Sequence, residues 1–142
     1  MSTEVNKAIV RRLFEEVFNK GNLTVADELV AQDGINYEAP PGITPDGPDG
    51  LKQAVQMLTL AFPDLHMTIE EMIAEGDKVV AHTTFSGTHQ GAFMGMPPTG
   101  RRFTQQQIHI VRLADGKAVE HREVRDDVGM MQQLGVIPAP GH

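Results

Sequence analysis

The hydrophobic pattern of this chain changes its period at Pro63, and that change constrains the fold more than any other feature. Before Pro63, apolar residues recur at helical spacing, with two adjacent columns near the N-terminus formed by Ile9, Leu13, Val17, Val10, Phe14 and Phe18. After Pro63, residues 66–74, 79–86, 103–113 and 117–124 alternate with the period of two that is typical of strands. Helices followed by strands with short turns predict an α+β domain, in which N-terminal helices cover one face of a bent antiparallel sheet.

Turn and capping residues divide the rest of the chain into further elements. The first helix is predicted to end at residues 19–21, because Gly21 can adopt the left-handed backbone conformation. A second helical pattern covers 23–30, a brief strand lies near Tyr37, and a third helix is predicted to begin at Asp49 and to end at Pro63. A last short helix is predicted over 127–134. Since no repeat or linker interrupts the pattern, we expect one domain over 1–142 with its core at about 6–135.

The charge balance narrows the classes of partner. Acidic side chains outnumber basic ones by 19 to 12, and the net charge is −7. Nucleic acids and anionic membranes attract proteins through concentrated clusters of Lys and Arg, which this sequence lacks. The first residues lack the apolar run of a signal peptide, and no stretch of 18 apolar residues occurs. We therefore expect a cytoplasmic protein whose partner is a small molecule.

Short motifs for cofactors, metals and nucleophiles are missing or misplaced. The glycine-rich run 91–95 lacks the lysine of a phosphate-binding loop and does not lie between a strand and a helix. There is no cysteine, and the six histidines show no H-x-H or H-E-x-x-H spacing. No G-x-S-x-G elbow is present either. We expect neither a cofactor nor a metal ion.

A carboxylate in an apolar cavity is the remaining candidate for chemistry, because burial raises its pKa towards neutrality and suits it to acid–base work. If the last strand alternates regularly, Arg122 and Asp126 lie on one face, and His121 and Glu123 lie on the other. Asp126 is our candidate for the pocket residue. The alternative is that Asp126 or Asp127 caps the terminal helix, and a one-residue bulge would exchange their faces.

Polar residues at alternate positions suggest further site candidates. Gln107 and His109 share one face of the strand 103–113, which either faces solvent or lines a polar pocket. His82 presents the same two alternatives on the strand 79–86. Tyr37, the only tyrosine, is a candidate hydrogen-bond donor to a ligand carbonyl, although a core role is also open.

The long loop 88–102 carries large apolar side chains among its glycines and prolines. Phe93, Met94 and Met96 are predicted to form the rim of the pocket, since flexible methionines suit ligands of variable shape. The alternative is that they pack under the loop into the core. His89, at the start of the loop, is a further pocket candidate.

Several segments resemble the SnoaL-like polyketide cyclases, also called the ester cyclase family. These segments follow the family's order along nearly the whole chain and are residues 6–23, 61–65, 87–91, 97–100, 114–117, 120–121 and 125–135. The resemblance implies the cone-shaped α+β fold shared with ketosteroid isomerase and nuclear transport factor two, with helices closing one side of a bent sheet around a single pocket. It also implies a cofactor-free intramolecular aldol condensation, with the aspartate at Asp126 as general acid–base.

Two positions depart from the family pattern. The family often has Asp-His where this chain has Asn36 and Tyr37, and it usually has His-Trp where this chain has His121 and Arg122. An arginine in the pocket wall would favour an anionic or strongly polar ligand, or would pair with Asp126 and lower the pKa of that carboxyl.

Two hypotheses follow from these residues. The first is a cofactor-independent acid–base enzyme, in which Asp126 removes a proton next to a carbonyl and Tyr37, His109 or Arg122 holds the enolate oxygen. The second is a non-catalytic protein that binds a small apolar or anionic molecule in the same pocket. In either case we expect a homodimer, because related domains usually pair through the outer face of the sheet.

Overall fold

The computed structural model describes residues 2–138 of the chain. Its elements, in chain order, are α1 (Thr3–Arg12), a π-helical continuation (Leu13–Asn19), α2 (Thr24–Leu29), β1 (Val30–Asn36), α3 (Gly47–Ala61), β2 (His66–Glu75), β3 (Lys78–Thr88), β4 (Arg102–Ala114), β5 (Lys117–Arg125) and α4 (Asp127–Leu134). The four strands predicted after Pro63 are all present. The α+β class is therefore confirmed.

The N-terminal helix forms as its two apolar columns predict. Ser2 caps it by accepting a hydrogen bond from the backbone N–H of Val5 at 3.1 Å. The helix widens into π-type turns from Leu13 to Asn19, and the columns stay turned into the core along its whole length. Gly21 follows with a φ of +68°, the left-handed conformation predicted for the end of this helix.

The second and third helices differ slightly from prediction. The pattern predicted to be helical over 23–30 ends at Leu29, and the chain then runs directly into β1. The helix α3 begins at Gly47, two residues before the predicted cap Asp49, because Pro48 suits the first turn of a helix. It ends at Ala61, close to the predicted boundary at Pro63.

The five strands form one mixed sheet in the order β1-β5-β4-β3-β2. The pairs β2–β3, β3–β4 and β4–β5 are antiparallel, as predicted, but β1 pairs with β5 in parallel. The prediction of a wholly antiparallel sheet is therefore wrong at one edge. Among residues 2–138, β1 and β2 are the two edge strands and do not pair with each other, so the sheet is not closed into a barrel.

Alternating burial shows which face of the sheet packs against the helices. Every second residue of β3 and β4 is buried, and the core combines these positions with the apolar columns of the N-terminal helix. Within residues 2–138, no helix is long and apolar enough to cross a membrane.

A one-residue bulge interrupts the pairing of β4 with β5. The turn pairs Ala114 with Lys117 and Leu113 with Ala118, but the next pair is Arg112 with Glu120. Val119 is therefore the extra residue of β5. Beyond the bulge, every side chain of β5 lies on the face opposite to the one that a regular hairpin would give it.

Candidate active site

A cavity of about 440 Å³ lies between the helices and the inner face of the sheet. Its volume falls within the usual range for small-molecule sites, roughly 300–1,000 Å³. Helices and neighbouring strands supply apolar walls, which include Val10, Phe14, Leu51, Leu58, Met67 and Met130. β4 and β5 supply polar side chains to the same cavity, namely Gln105, Gln107, His109, His121, Glu123 and Arg125.

The bulge at Val119 decides which side chains of β5 reach this cavity. It pairs His109 with Glu123, whereas a regular hairpin would pair His109 with Arg122. Glu123 therefore lines the cavity, and Arg122 lies on the exposed outer face. The predicted alternation of β5 is correct, but the prediction assigned the face of Arg122 to the cavity, and the structure turns the opposite face to it.

The two aspartates after β5 also occupy exchanged positions. Asp126 was predicted to face the pocket, but it caps α4, with its Oδ1 accepting a hydrogen bond from the backbone N–H of Gly129 at 2.8 Å. Asp127 lines the cavity instead. Its Oδ1 accepts hydrogen bonds from Gln105 Nε2 at 3.1 Å and from Arg125 Nε at 3.0 Å. The one-residue bulge considered as the alternative is thus present, although it lies near the start of β5.

A continuous chain of hydrogen bonds crosses the polar wall of the cavity. Asn36 Oδ1 lies 2.8 Å from His121 Nδ1, and His121 Nε2 lies 2.8 Å from His109 Nδ1. His109 Nε2 lies 2.7 Å from Gln107 Oε1, and Gln107 Nε2 donates to Gln105 Oε1 at 2.7 Å. The ring of Phe14 meets His109 edge-on at a centroid distance of 4.9 Å. The aligned polar positions of β4 therefore face the cavity and not solvent.

Glu123 lies beside this chain in a largely dry environment. Its side chain is 13% exposed, and its Oε2 lies 3.8 Å from His109 Nε2. Burial raises the pKa of Glu123 to about 7, although the Arg125 guanidinium, 3.3 Å away, acts in the opposite direction. Burial also lowers the pKa of His121 to about 4 and that of His109 well below its usual value.

Tyr37, Phe93 and Met94 also lie on the cavity wall. The guanidinium of Arg122 stacks over the ring of Tyr37 from outside, 3.9 Å from the ring centroid. Among residues 2–138, Met96 does not line the cavity and instead pairs with Phe93 across the loop turn.

Two predicted histidines lie elsewhere. His82 was predicted to line the pocket, but its side chain lies on the outer face of β3, with Nε2 2.6 Å from Gln106 Oε1. His89 is buried outside the cavity, with its ring against Phe62 and its Nδ1 3.1 Å from Thr99 Oγ1. Both placements correct the prediction.

Several cavity residues were not among those predicted from the sequence, and the chief of these are Glu123, Arg125, Asp127 and His121. The alternation along β5 already groups three of them on one face. Which face of β5 borders the cavity depends on the register between β4 and β5, and the sequence carries no signal for that register.

His109, His121 and Glu123 bring three potential metal-binding atoms within 4.8 Å of one another. However, all four ring nitrogens of the two histidines already lie within hydrogen-bond distance of a partner. A metal ion would have to break this chain to bind. We therefore do not assign these side chains as metal ligands.

Comparison with known proteins identifies relatives over nearly the whole chain. The family model described as SnoaL-like polyketide cyclase matches residues 8–134. The aklanonic acid methyl ester cyclase DnrD of Streptomyces peucetius is 36% identical over 139 residues, which cover 95% of this chain and 92% of the relative. The nogalonic acid methyl ester cyclase of Streptomyces nogalater is 35% identical over 119 residues, which cover 83% of this chain and 89% of the relative.

Solved structures agree with these sequence matches. TsrD from Streptomyces laurentii superposes with a TM-score of 0.87 at 27% identity, covering 96% of this chain and 99% of its own. IdmH from Streptomyces antibioticus superposes with a TM-score of 0.78 at 36% identity, covering 92% of this chain and 98% of its own. The chain therefore belongs to the SnoaL-like polyketide cyclase family.

Proposed function

We propose that the protein is an ester cyclase that closes a ring by an intramolecular aldol reaction, with Glu123 as its general acid–base. The observation that carries this proposal is the carboxyl of Glu123, which is buried on the cavity wall within 3.8 Å of His109. Burial brings the pKa of Glu123 to about 7, near the pH at which a general base works best. Asp126, which the family resemblance favours for this role, caps α4 instead.

The reaction requires only proton transfer and the formation of one carbon–carbon bond. The Glu123 carboxylate accepts a proton from the carbon next to the ester carbonyl. The electron pair of the C–H bond forms a C=C bond, and the π pair of the carbonyl moves onto its oxygen. The resulting enolate carbon attacks a ketone of the same molecule, whose C=O electron pair becomes an alkoxide. Glu123 then returns its proton to that alkoxide, so the product is an isomer of the substrate and the carboxylate is regenerated.

The substrate class that we propose is the methyl ester of an aromatic polyketide acid. Two relatives are named as cyclases of aklanonic and nogalonic acid methyl esters. The cavity supports this class, because its apolar walls suit a fused aromatic system while its polar groups are gathered on β4 and β5. Glu123 lies within this polar region, where the ester carbonyl of such a substrate would meet it.

Stabilisation of the enolate oxygen requires a donor at the same end of the cavity. Tyr37 lines the cavity, and the described residues offer its hydroxyl no hydrogen bond. We propose that this hydroxyl donates to the developing oxyanion. The guanidinium of Arg122, stacked on its ring, helps to hold the phenol in this position.

Replacement of the carboxyl tests this proposal directly. Glu123→Gln keeps the shape of the side chain and removes the base, so the turnover of a polyketide methyl ester should fall by roughly 10²-fold or more. Binding of the same ester, measured by fluorescence titration, should change much less than turnover. A matched control is Asp126→Asn, which makes the same chemical change outside the cavity and preserves the helix cap.

The two variants together separate three outcomes. A large loss in Glu123→Gln with near wild-type turnover in Asp126→Asn supports the proposal. The reverse pattern would return the role of base to Asp126. If no polyketide methyl ester is turned over by the wild type although it binds, the non-catalytic binding protein becomes the better description.

A further inference from the structure

The hydrogen-bond chain across the cavity ends on an acceptor at each side. At one end, Asn36 Oδ1 accepts a hydrogen bond from the backbone N–H of Glu38 at 3.0 Å, which identifies this atom of the amide as the oxygen. The same oxygen faces His121 Nδ1. At the other end, Gln105 Nε2 donates to the backbone carbonyl of Asp126 at 3.2 Å and to the carboxylate of Asp127. Neither end can supply a proton to the chain.

Two neutral histidines do not carry enough N–H groups to complete every hydrogen bond of this chain. Because Gln105 donates outwards, its Oε1 must accept from Gln107, and Gln107 Oε1 must in turn accept from His109 Nε2. From the other end, His121 Nδ1 must donate to Asn36. A neutral ring carries one N–H. Two neutral rings would therefore place the bare nitrogens His109 Nδ1 and His121 Nε2 against each other at 2.8 Å.

Exchanging the oxygen and NH₂ positions of a side-chain amide moves this mismatch to another link of the chain without removing it. Turning Gln107 alone places its oxygen against the oxygen of Gln105, and turning both places the Gln105 oxygen against Asp127. Turning Asn36 places its NH₂ group against the backbone N–H of Glu38. Each arrangement leaves two like groups facing each other, which is costly inside a protein.

We propose that the His109–His121 pair holds one proton more than two neutral rings, shared between Nδ1 of His109 and Nε2 of His121, with the Glu123 carboxylate as its counter-ion. The added proton completes every link of the chain. The counter-ion is close, because Glu123 Oε2 lies 3.8 Å from His109 Nε2. The pair then carries one positive charge and Glu123 one negative charge.

The surroundings of the pair contain charges of both signs. Glu38 follows β1, Glu123 and Arg125 lie on β5, and Asp127 begins α4; among these four, Arg125 alone is basic. The N-terminal helix contributes the uncharged ring of Phe14. Burial lowers the pKa of both rings, Arg125 lowers both further, and the neighbouring ring of His121 also lowers that of His109. The acidic groups and the completed hydrogen bonds favour the extra proton.

The positive charge of the histidine pair also affects turnover, a consequence that rests on the proposed role of Glu123 as base. When Glu123 accepts the substrate proton and becomes neutral, the positive charge of the pair loses its counter-ion. The enolate formed next to it takes over that role. The pair therefore stabilises the charge that appears during the reaction.

Nitrogen NMR of the full-length protein with ¹⁵N-labelled histidine tests the proposal at pH 7, with a chelator present so that no divalent cation occupies the rings. We expect three N–H protons on the four nitrogens of His109 and His121, with intermediate shifts for the two bridging nitrogens. His66, which is exposed, serves as the internal reference ring. Two N–H protons and two bare nitrogens in the wild type would overturn the proposal.

Substitution of Asn36 provides a second, independent measurement. Asn36→Ala leaves room for water, which can donate a hydrogen bond to His121 Nδ1 as well as accept one. His121 can then carry its proton on Nε2 and donate it to His109 Nδ1, so two neutral rings complete the chain. We expect this variant to lose one proton from the pair. Asn36→Asp keeps an acceptor at the same place and should retain the proton. Equal proton counts in the two variants would contradict the proposal.

Failure of this inference can be told apart from failure of the proposed function. Neutral rings in the wild type, together with loss of turnover in Glu123→Gln, would remove the shared proton and leave Glu123 as the base. A shared proton with undiminished turnover in Glu123→Gln would leave the pair intact and remove the proposed base.

Discussion

Glu123 is subject to two opposing influences on its charge. Burial disfavours the carboxylate and raises its pKa to about 7, while Arg125 and any positive charge on His109 favour the carboxylate. A base must be unprotonated in order to accept a proton. The balance between these influences therefore sets the pH at which the proposed enzyme becomes active.

The dependence of the rate on pH follows from this balance. We expect kcat/KM of the wild type to be low in acid and to rise through about pH 7, because Glu123 is protonated below its pKa and inactive as a base. A proton shared by the histidine pair would move this rise below pH 7. A rate that falls as pH rises through this range would contradict the assignment of Glu123 as base.

At the scale of elements, α4 depends on a cap that the structure assigns to Asp126. The Oδ1 atom of Asp126 accepts the backbone N–H of Gly129, and Gly135 ends the helix in the left-handed conformation with a φ of +78°. The helix packs Met130 and Leu134 into the core, so its first turn supports one end of the cavity.

Loss of this cap should be measurable without any substrate. We expect Asp126→Ala to lower the free energy of unfolding by about 1 kcal/mol, because it leaves a backbone N–H of the first turn without its acceptor. Asp126→Asn should have little effect, since asparagine is an equally good cap. Urea unfolding followed by circular dichroism measures both, and equal stability of Asp126→Ala and wild type would show that the cap contributes nothing.

At the scale of the whole molecule, the outer face of the sheet leaves apolar side chains exposed. Ile108 is 40% exposed, Ile110 is 39% exposed and Val124 is 76% exposed, and all three lie on adjacent strands. Gln106 and Thr84, which are polar without charge, lie on the same face, and so does Arg122, which pairs with Ile110. A face of this composition is suited to pairing with a second copy of the chain.

We therefore expect a homodimer in solution, formed through this outer face. Light scattering at micromolar concentration should give about twice the monomer mass of 15.5 kDa. Val124→Lys places a charge on this face without touching the cavity, so it should shift the equilibrium towards monomer. A wild-type mass near 15.5 kDa would refute this expectation.

The sequence by itself determined the α+β class, the N-terminal helix, the four antiparallel strands and the family. These depend on local periodicity, on Gly and Pro at turns, and on motifs spread along the chain. The tertiary structure alone decided that β1 joins the sheet in parallel, since a strand's partner depends on contacts distant in sequence. It also decided which carboxyl faces the cavity. A single extra residue, Val119, turns Glu123 into the cavity and leaves Asp126 to the helix cap, because the period of a strand is two and one inserted residue reverses both faces.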